Sequence, residues 1–546
     1  MFKYTKRIIA AFVCLAVLFS LCGCGGKSVM DTISNLGKDK EPEPIDEIGF
    51  TVPYIRTDSL DPYKLTNSMN KYISGLIYDS LFKVDETFKE TAVIAESYTV
   101  ADKKLTVKIK NSLKFTDGTP LTANDVVYSF NQAKASVTYA AYLENIDSAS
   151  TDSTYTAAFT LRNTDKSEAA NLIFPIVKKG SYDKTASEDI QTDSDDEGST
   201  TTASGGGYTS KIPVGSGRYT FVTNSESKYL QYNKSRLGGY NPKYAKIGLI
   251  DISASESFSS LFELNKIDFY CDNFDSGKYT KFTKISNNIE LTNLVYLGIN
   301  SQDSVLSEPK VRRAISLALN RAELASDAFA GCAVASALPF HPSYYKLKGC
   351  TLPTLNQKTD SAIELLEDVG YSKINDSGAR YNENKVMDLT LLVNSENDFR
   401  RSLARGIQQA LEKIGINVTI RETSYSDYAS SISSDSFDMY IGETELPNSF
   451  GLSRFFSTDG GLRYGISEKS ETARIYNKYL GGQADMQKLI GTFSDELPFI
   501  PIAFRQGITV SSDKITSEIK TVPGDCFANI DEWTAQRWTE LPIYNI

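Results

Sequence analysis

One histidine and seven cysteines in 546 residues leave few routes to nucleophilic or metal chemistry. Any Ser-His-Asp or Cys-His relay would have to use His341, because no other imidazole is there to take and return the proton. That residue lies in "LPFHPSYY", between Pro339 and Pro342, a context that predicts an exposed loop. Four cysteines fall in the body of the chain, Cys271, Cys332, Cys350 and Cys526. They contain no CxxC pair, so the usual Cys/His spacings of a zinc site are absent. Cys332 and Cys350 are close enough in sequence to staple a loop, and other pairings of the four stay open. Asp and Glu total 68, yet no spacing singles out a pair for acid/base attack on a sugar. These residues weigh against hydrolase and zinc chemistry, and no cofactor, no metal and no enzymatic activity is expected.

Thiol chemistry of another kind is readable at the N-terminus. Lys3, Lys6 and Arg7 precede the apolar run "IIAAFVCLAVLFSL", residues 8–21. Its length fits a signal-peptide core of about 7–15 residues and falls short of the roughly 20 a spanning helix needs. "LCGC", residues 21–24, then resembles the lipobox of bacterial lipoproteins, an aliphatic residue and two small ones before the lipidated cysteine. Cys24 is the residue this assigns; Cys22, with Leu21 directly before it, leaves with a signal peptide of 1–23. The resemblance implies a diacylglyceryl group with chains such as palmitate, and two acyl chains anchor stably where one does so only marginally. Residues 24–48 are polar, charged and punctuated by Pro and Gly, hence a flexible tether reaching at most roughly 80 Å. The expectation is an exported protein held at the outer face of the membrane.

The net charge is −10, and losing Lys3, Lys6 and Arg7 takes it to about −13, with no Lys/Arg-dense stretch. A nucleic-acid partner, which needs a basic footprint, is therefore not expected. Without residues 1–23 about 520 remain, a prior for roughly three domains.

The elements follow from periodicity. "DSLDPYKLTNSMNKYISGLIYDSLFKVDE" predicts a turn at Asp61-Pro62 and a helix ending near Phe82. "KKLTVKIK" alternates Leu105, Val107 and Ile109 against polar residues, a strand with one wet face. Asp117-Gly118 signals a tight turn, and Thr122 with Asp125 a capping box opening a helix. Residues 184–207 are acidic, then Ser/Thr- and Gly-rich, and predict a disordered insertion. "PVGSGRYTFV" runs from a Gly-rich turn into a strand, not into the helix a phosphate loop requires. Helices are predicted over "SEPKVRRAISLALNRAEL", "SAIELLEDVGY" up to Gly370, and "SLARGIQQALEKIG" up to Gly415, the last followed directly by a strand. Helices alternating with strands predict α/β lobes.

Eleven segments, in order, resemble the extracellular solute-binding proteins of family 5, which serve ABC importers of oligopeptides, dipeptides, nickel and some sugars. They are "LDPY" (60–63), "LIYDSLF" (76–82), "IAESYTV" (94–100), "LKFTDGTPLTANDVVYSF" (113–130), "PVGSGRY" (213–219) and "YLGIN" (296–300). "VRRAISLALNRAEL" (311–324), "AIELLEDVGY" (362–371), "IQQALEKIGINVTI" (407–420), "FDMYIG" (437–442) and "DELPFIPIAF" (495–504) complete the set. Most are turn and packing residues that identify a scaffold. The resemblance implies a two-lobed α/β fold with crossing strands, an extra smaller domain on the N-terminal lobe, and a ligand closed between the lobes by a hinge. On this plan lobe I takes 49–78, 209–290 and 505–546, the extra domain 79–208, and lobe II 291–504. The implied partners are a small solute and an ABC permease with its ATPase, served by a monomer.

The resemblance also supplies site candidates. In the family's dipeptide binders a strand like "FDMYIG" leads into Gly-Trp-Thr-Gly-Asp, whose Asp takes the peptide's amino group; an Arg some fifty positions earlier takes the carboxylate. Here the chain reads "IGETELPNSF", with Glu443 at the Trp position and Leu446 at the Asp position, and the Arg position falls near Asn394. The dipeptide constellation is broken, which implies a longer peptide held through its backbone, or a solute that is not a peptide, such as an oligosaccharide or metal complex. A ligand-sensing lipoprotein is the alternative of another class. Glu443 or Glu445 remains able to meet an amine, on the expectation that only one of them faces the cleft. Arg400, with Arg401 beside it, is a candidate for a carboxylate, and Tyr54, Asn67 and Ser68 lie where the first strand leaves the lobe.

Overall fold

Leu105, Val107 and Ile109 are wholly buried while Lys104 and Lys108 are exposed, so the alternation of "KKLTVKIK" is realised in strand Lys104–Ile109. This computed structural model describes residues 44–182, 212–224, 227–236, 239–253, 258–278, 285–302, 305–383, 385–458 and 460–536. The expected signal peptide, Cys24, most of the tether and the 184–207 insertion lie outside the described residues.

Strand Lys104–Ile109 belongs to an antiparallel sheet in the order Ala95–Ala101, Lys104–Ile109, Thr156–Leu161, Ile146–Ser153. Helix Ala123–Lys134 packs on it through Val126 and Phe130 and opens with the predicted capping box, Asp125 accepting from the Thr122 backbone N–H at 2.8 Å. A second four-stranded sheet pairs Ile45–Tyr54 in parallel with Tyr244–Asp251, which continues antiparallel through Lys228–Tyr232 to Tyr219–Thr223. Its first strand begins at Ile45, inside the stretch read as tether to residue 48. Ile45 and Ile48 pair with Tyr244 and Lys246, and the Lys246 ammonium meets Asp46 at 3.0 Å. A β-branched residue beside an available edge outweighs the polar composition around it.

The third sheet has seven strands. Six run in the order Phe269–Asp272, Phe499–Ser511, Asn287–Ile299, Met439–Glu445, Asp388–Asn394, Asn417–Thr423, and Ala333–Ala335 pairs with Phe499–Ser511. The long strand Asn287–Ile299 serves two hydrophobic cores: Ile289 and Leu291 pack in the first, with Phe50 and Trp533, and Leu294 to Leu297 in the second, with Phe455 and Phe499. The chain is thus an α/β protein with two lobes. No described helix is long and apolar enough to cross a membrane.

Two helices end earlier than the apolar pattern suggests. Helix Ser68–Ile77 stops because Tyr78 is extended, and Phe82 already starts strand Phe82–Val84. The segment 309–324 is two helices, Pro309–Ala318 and Arg321–Ala328, broken at an extended Leu319. Asn320 caps the second, accepting from the Glu323 N–H, and the break lets the buried Arg321 guanidinium donate to the Pro501 carbonyl at 2.9 Å. Gly370 and Gly415 close their helices at φ of 93° and 78°, where a Cβ would be strained.

The cysteine expectation is corrected. Cys271 bonds Cys526, 255 residues away, while Cys332 and Cys350 are free. Nearness in sequence does not align Cβ vectors: Cys332 Sγ faces the Ala330 carbonyl at 3.8 Å and Cys350 Sγ the Lys346 carbonyl at 3.7 Å. The real bridge lies beside Phe269, Phe527 and Trp533, whose rings are 4.6 to 5.9 Å apart. Replacing Cys526 with Ala is expected to lower stability by about 2–4 kcal/mol, whereas Cys350→Ala leaves it unchanged; urea unfolding followed by circular dichroism checks both.

Candidate functional site

Between the two cores, strand Asn287–Ile299 slips its register. Glu290 pairs with Gln506 and Leu294 with Phe504, so Leu291, Thr292 and Asn293 share a single opposing residue, Arg505. Such a bulge bends a strand and re-aims its side chains. Here it opens a cavity of about 740 Å³, within the roughly 300–1,000 Å³ usual for ligand sites.

One wall is the start of helix Ser68–Ile77. Asn67 caps it by accepting from Met69 N–H at 2.9 Å, and Asp58 fixes the approach by accepting from the Asn67 N–H at 3.1 Å. Met69, Ile73, Leu76 and Ile77 point into the core, leaving Lys71 and Gly75 on the cavity face. A second wall is the 135–142 segment, held by Ser136 Oγ donating to the Tyr63 carbonyl at 2.7 Å. The 522–525 loop, beside the disulfide, forms a third. Strand Met439–Glu445 brings Glu445 to the rim, where its carboxylate accepts from Tyr142 at 2.5 Å and lies 3.9 Å from the Lys71 ammonium. Lys71 also sits 5.8 Å from the Tyr139 ring centre.

Of the sequence-predicted residues, Asn67, Ser68 and Glu445 line this cavity. Tyr54 packs in the first core. Asn394 is buried and makes a turn, its side chain accepting from the Glu396 N–H at 3.0 Å. Arg401 is occupied by Asp398 at 2.8 Å. Arg400 and Glu443 answer each other: Glu443 lies 3.5 Å from Arg400 Nη2 and 2.7 Å from Arg505 Nε, and accepts from Asn293 at 3.2 Å. Leu446, at the Asp position of dipeptide binders, is buried, and its N–H donates to the Thr292 carbonyl at 3.1 Å.

Of Glu443 and Glu445 only Glu445 lines the cavity, although residues two apart share a face; Glu443 meets two guanidiniums instead. The histidine expectation needs correction. His341 is not on an exposed loop. It is 1% exposed, against Phe88, Phe450 and Phe504, and its Nε2 meets the cavity residue Glu290 at 2.9 Å. The flanking prolines bend the backbone, and the imidazole turns inward because a carboxylate awaits it.

Sequence reasoning missed Lys71, Tyr142, Glu290 and Asp525. Lys71 had a signal, since it shares the polar stripe of its helix with Gly75 at i+4; the others are brought in by tertiary structure. Asp525 is held down to about 2: burial pushes its carboxyl up, but Lys83 at 2.7 Å and Arg218 at 3.2 Å overcome that. Glu443 is likewise buried, which alone would raise it, and Arg505 then Arg400 hold it below the ordinary value. A depressed folded-state carboxyl stabilises fully above the unfolded value of about 4.3 and loses that contribution as pH falls through the folded value. Glu443→Gln is expected to cost about 3–5 kcal/mol at pH 7, since it leaves buried guanidiniums unneutralised, and to flatten the loss of stability below pH ~4. Thermal unfolding at both pH values checks this.

Comparison with known proteins bears on most of the chain. Residues 91–459 match the family described as bacterial extracellular solute-binding proteins, family 5 Middle. The oligopeptide-binding protein AppA of Bacillus subtilis (strain 168) is 23% identical over 496 residues, 87% of each chain. The solved structure of AppA from Bacillus subtilis in complex with a nonapeptide superposes with a TM-score of 0.57 at 20% identity, covering 91% of this chain and 100% of that one. That of a nickel ABC transporter from Bacillus halodurans gives 0.66 at 17% identity, over 89% and 98%. The family match covers most of the chain and the relative aligns along 87% of it: the protein belongs to the bacterial extracellular solute-binding proteins, family 5.

Proposed function

We propose that this is the substrate-binding lipoprotein of an ABC importer, which captures a peptide-like solute between its lobes and delivers it to a membrane permease and ATPase. The observation that carries the reading is the cavity of about 740 Å³ at the bulge of strand Asn287–Ile299, with both signs of charge on its walls. Residues 291–293 step out of the ladder with Phe499–Ser511, which suits a solute held through its backbone. Lys71 stands ready for a carboxylate, and the tyrosines of 63, 72, 139 and 142 offer apolar faces with a polar end. The name of the Bacillus subtilis relative, an oligopeptide-binding protein, supports the same class.

The expected lobe boundaries at 290/291 and 504/505 fall inside the two long strands, so closure would bend those strands and convert occupancy into shape. Cys24, at the end of the lipobox, would tether the protein at the outer face of the membrane, close to the permease.

Native mass spectrometry of the full chain, purified gently in detergent, tests the solute class. A ladder of peptide masses released on denaturation is expected; a single non-peptide mass, a metal complex or an oligosaccharide, overturns the peptide reading. Cys24→Ala is expected to move the protein from the membrane to the soluble fraction and to abolish labelling by radioactive palmitate.

A further inference from the structure

The cavity's carboxylates are treated unequally. Asp525 faces Lys83 and Arg218, Glu445 has Lys71, and Asp275 lies 3.8 Å from Arg505 Nη2. Glu290 has no Lys or Arg nitrogen within 4.0 Å among the described residues. Its partners are His341 Nε2 at 2.9 Å on one oxygen and Gln506 Nε2 at 2.8 Å on the other.

Neither partner neutralises it. The Ser343 N–H donates to His341 Nδ1 at 3.2 Å, so that nitrogen is unprotonated, and the neutral ring carries its hydrogen on Nε2, pointing at Glu290. Gln506 is an amide, and its own oxygen is occupied by Asn288 Nδ2 at 3.1 Å, which fixes which way it faces. Burial would raise the Glu290 carboxyl, but His341, through its hydrogen bond and its electrostatic interaction, and then Gln506 hold it below the ordinary value, so it is charged at neutral pH.

This arrangement aims a carboxylate without balancing it. An ionised carboxylate has about four acceptor positions. Two are used by the wall, and the side chain keeps 32% of its surface open on the cavity side. The contrast with Glu443, 11% exposed between two guanidiniums, is direct. A half-buried charge held by two oriented donors, with no Lys or Arg among the described residues to meet it, costs stability until a cation arrives.

We infer that Glu290 is the residue that selects a positively charged group on the solute, an ammonium or guanidinium placed against its two open acceptor positions. His341 and Gln506 act as positioning residues behind it. The inference rests on the peptide-like reading of the cavity and adds that a cationic position on the peptide is recognised there.

Calorimetric titration with pentapeptides tests it. The probes are alanine peptides with lysine at successive positions, from which one ammonium at a time is removed by norleucine or by N-terminal acetylation. In the unmodified protein one removal is expected to weaken binding about tenfold or more, the size of a charge-assisted hydrogen bond. In Glu290→Gln, which keeps the shape of the side chain, the same removal is expected to cost nothing. Equal losses in both proteins, or no discrimination at any position while peptides still bind, overturn the Glu290 assignment and leave peptide binding standing. Failure of every pentapeptide to bind the unmodified protein overturns the peptide reading, and the assignment falls with it.

Discussion

A single strand, Asn287–Ile299, has to satisfy two hydrophobic cores that lie at its opposite ends. A regular ladder would carry its side chains straight from one core to the other. Instead the register slips between Glu290 and Leu294, and the residues in the slip are free to line a cavity. The same local irregularity therefore lies between the two cores and lines the cavity. The walls are set around it: a capped helix start, the Tyr63-anchored 135–142 segment, and the 522–525 loop beside the disulfide.

Charge follows that geometry. At Glu443 and Asp525 the fold closes over a carboxylate and supplies guanidinium or ammonium groups. The nearby cations offset the desolvation of those anions and hold both below the ordinary carboxyl value in spite of burial. Along the cavity wall the compensation is uneven: Asp525 is fully paired, Glu445 retains a phenol and a distant ammonium, and Glu290 retains only His341 and an amide.

What could be read from the sequence was local. The capping box at Thr122 and Asp125, the strand at 104–109 and the glycine stops at 370 and 415 depend on neighbours a few residues away, and all are present. The segments quoted in order were turns and packing residues, and such patterns survive because each is dictated by its own backbone. The Cys271–Cys526 bridge, the inward turn of His341 and the breaking of 309–328 into two helices depend on residues far along the chain, and no periodicity announces them. Site residues divide the same way. Asn67 is a helix cap and could be placed from spacing, whereas Glu290 becomes a cavity residue only because a strand bulges.

The disulfide has a consequence for biogenesis. Cys526 follows Cys271 by 255 residues, and strand Phe269–Asp272, which carries Cys271, pairs with the 508–511 stretch. During vectorial synthesis the first core thus stays incomplete until residues 526–533 have emerged. The second core draws on a nearly continuous stretch and can assemble sooner. Cys271 must travel as a bare thiol through that interval, with Cys332 and Cys350 emerging before its true partner. The protein therefore relies on tertiary packing of Phe269, Phe527 and Trp533, rather than on order of appearance, to select the right sulfur.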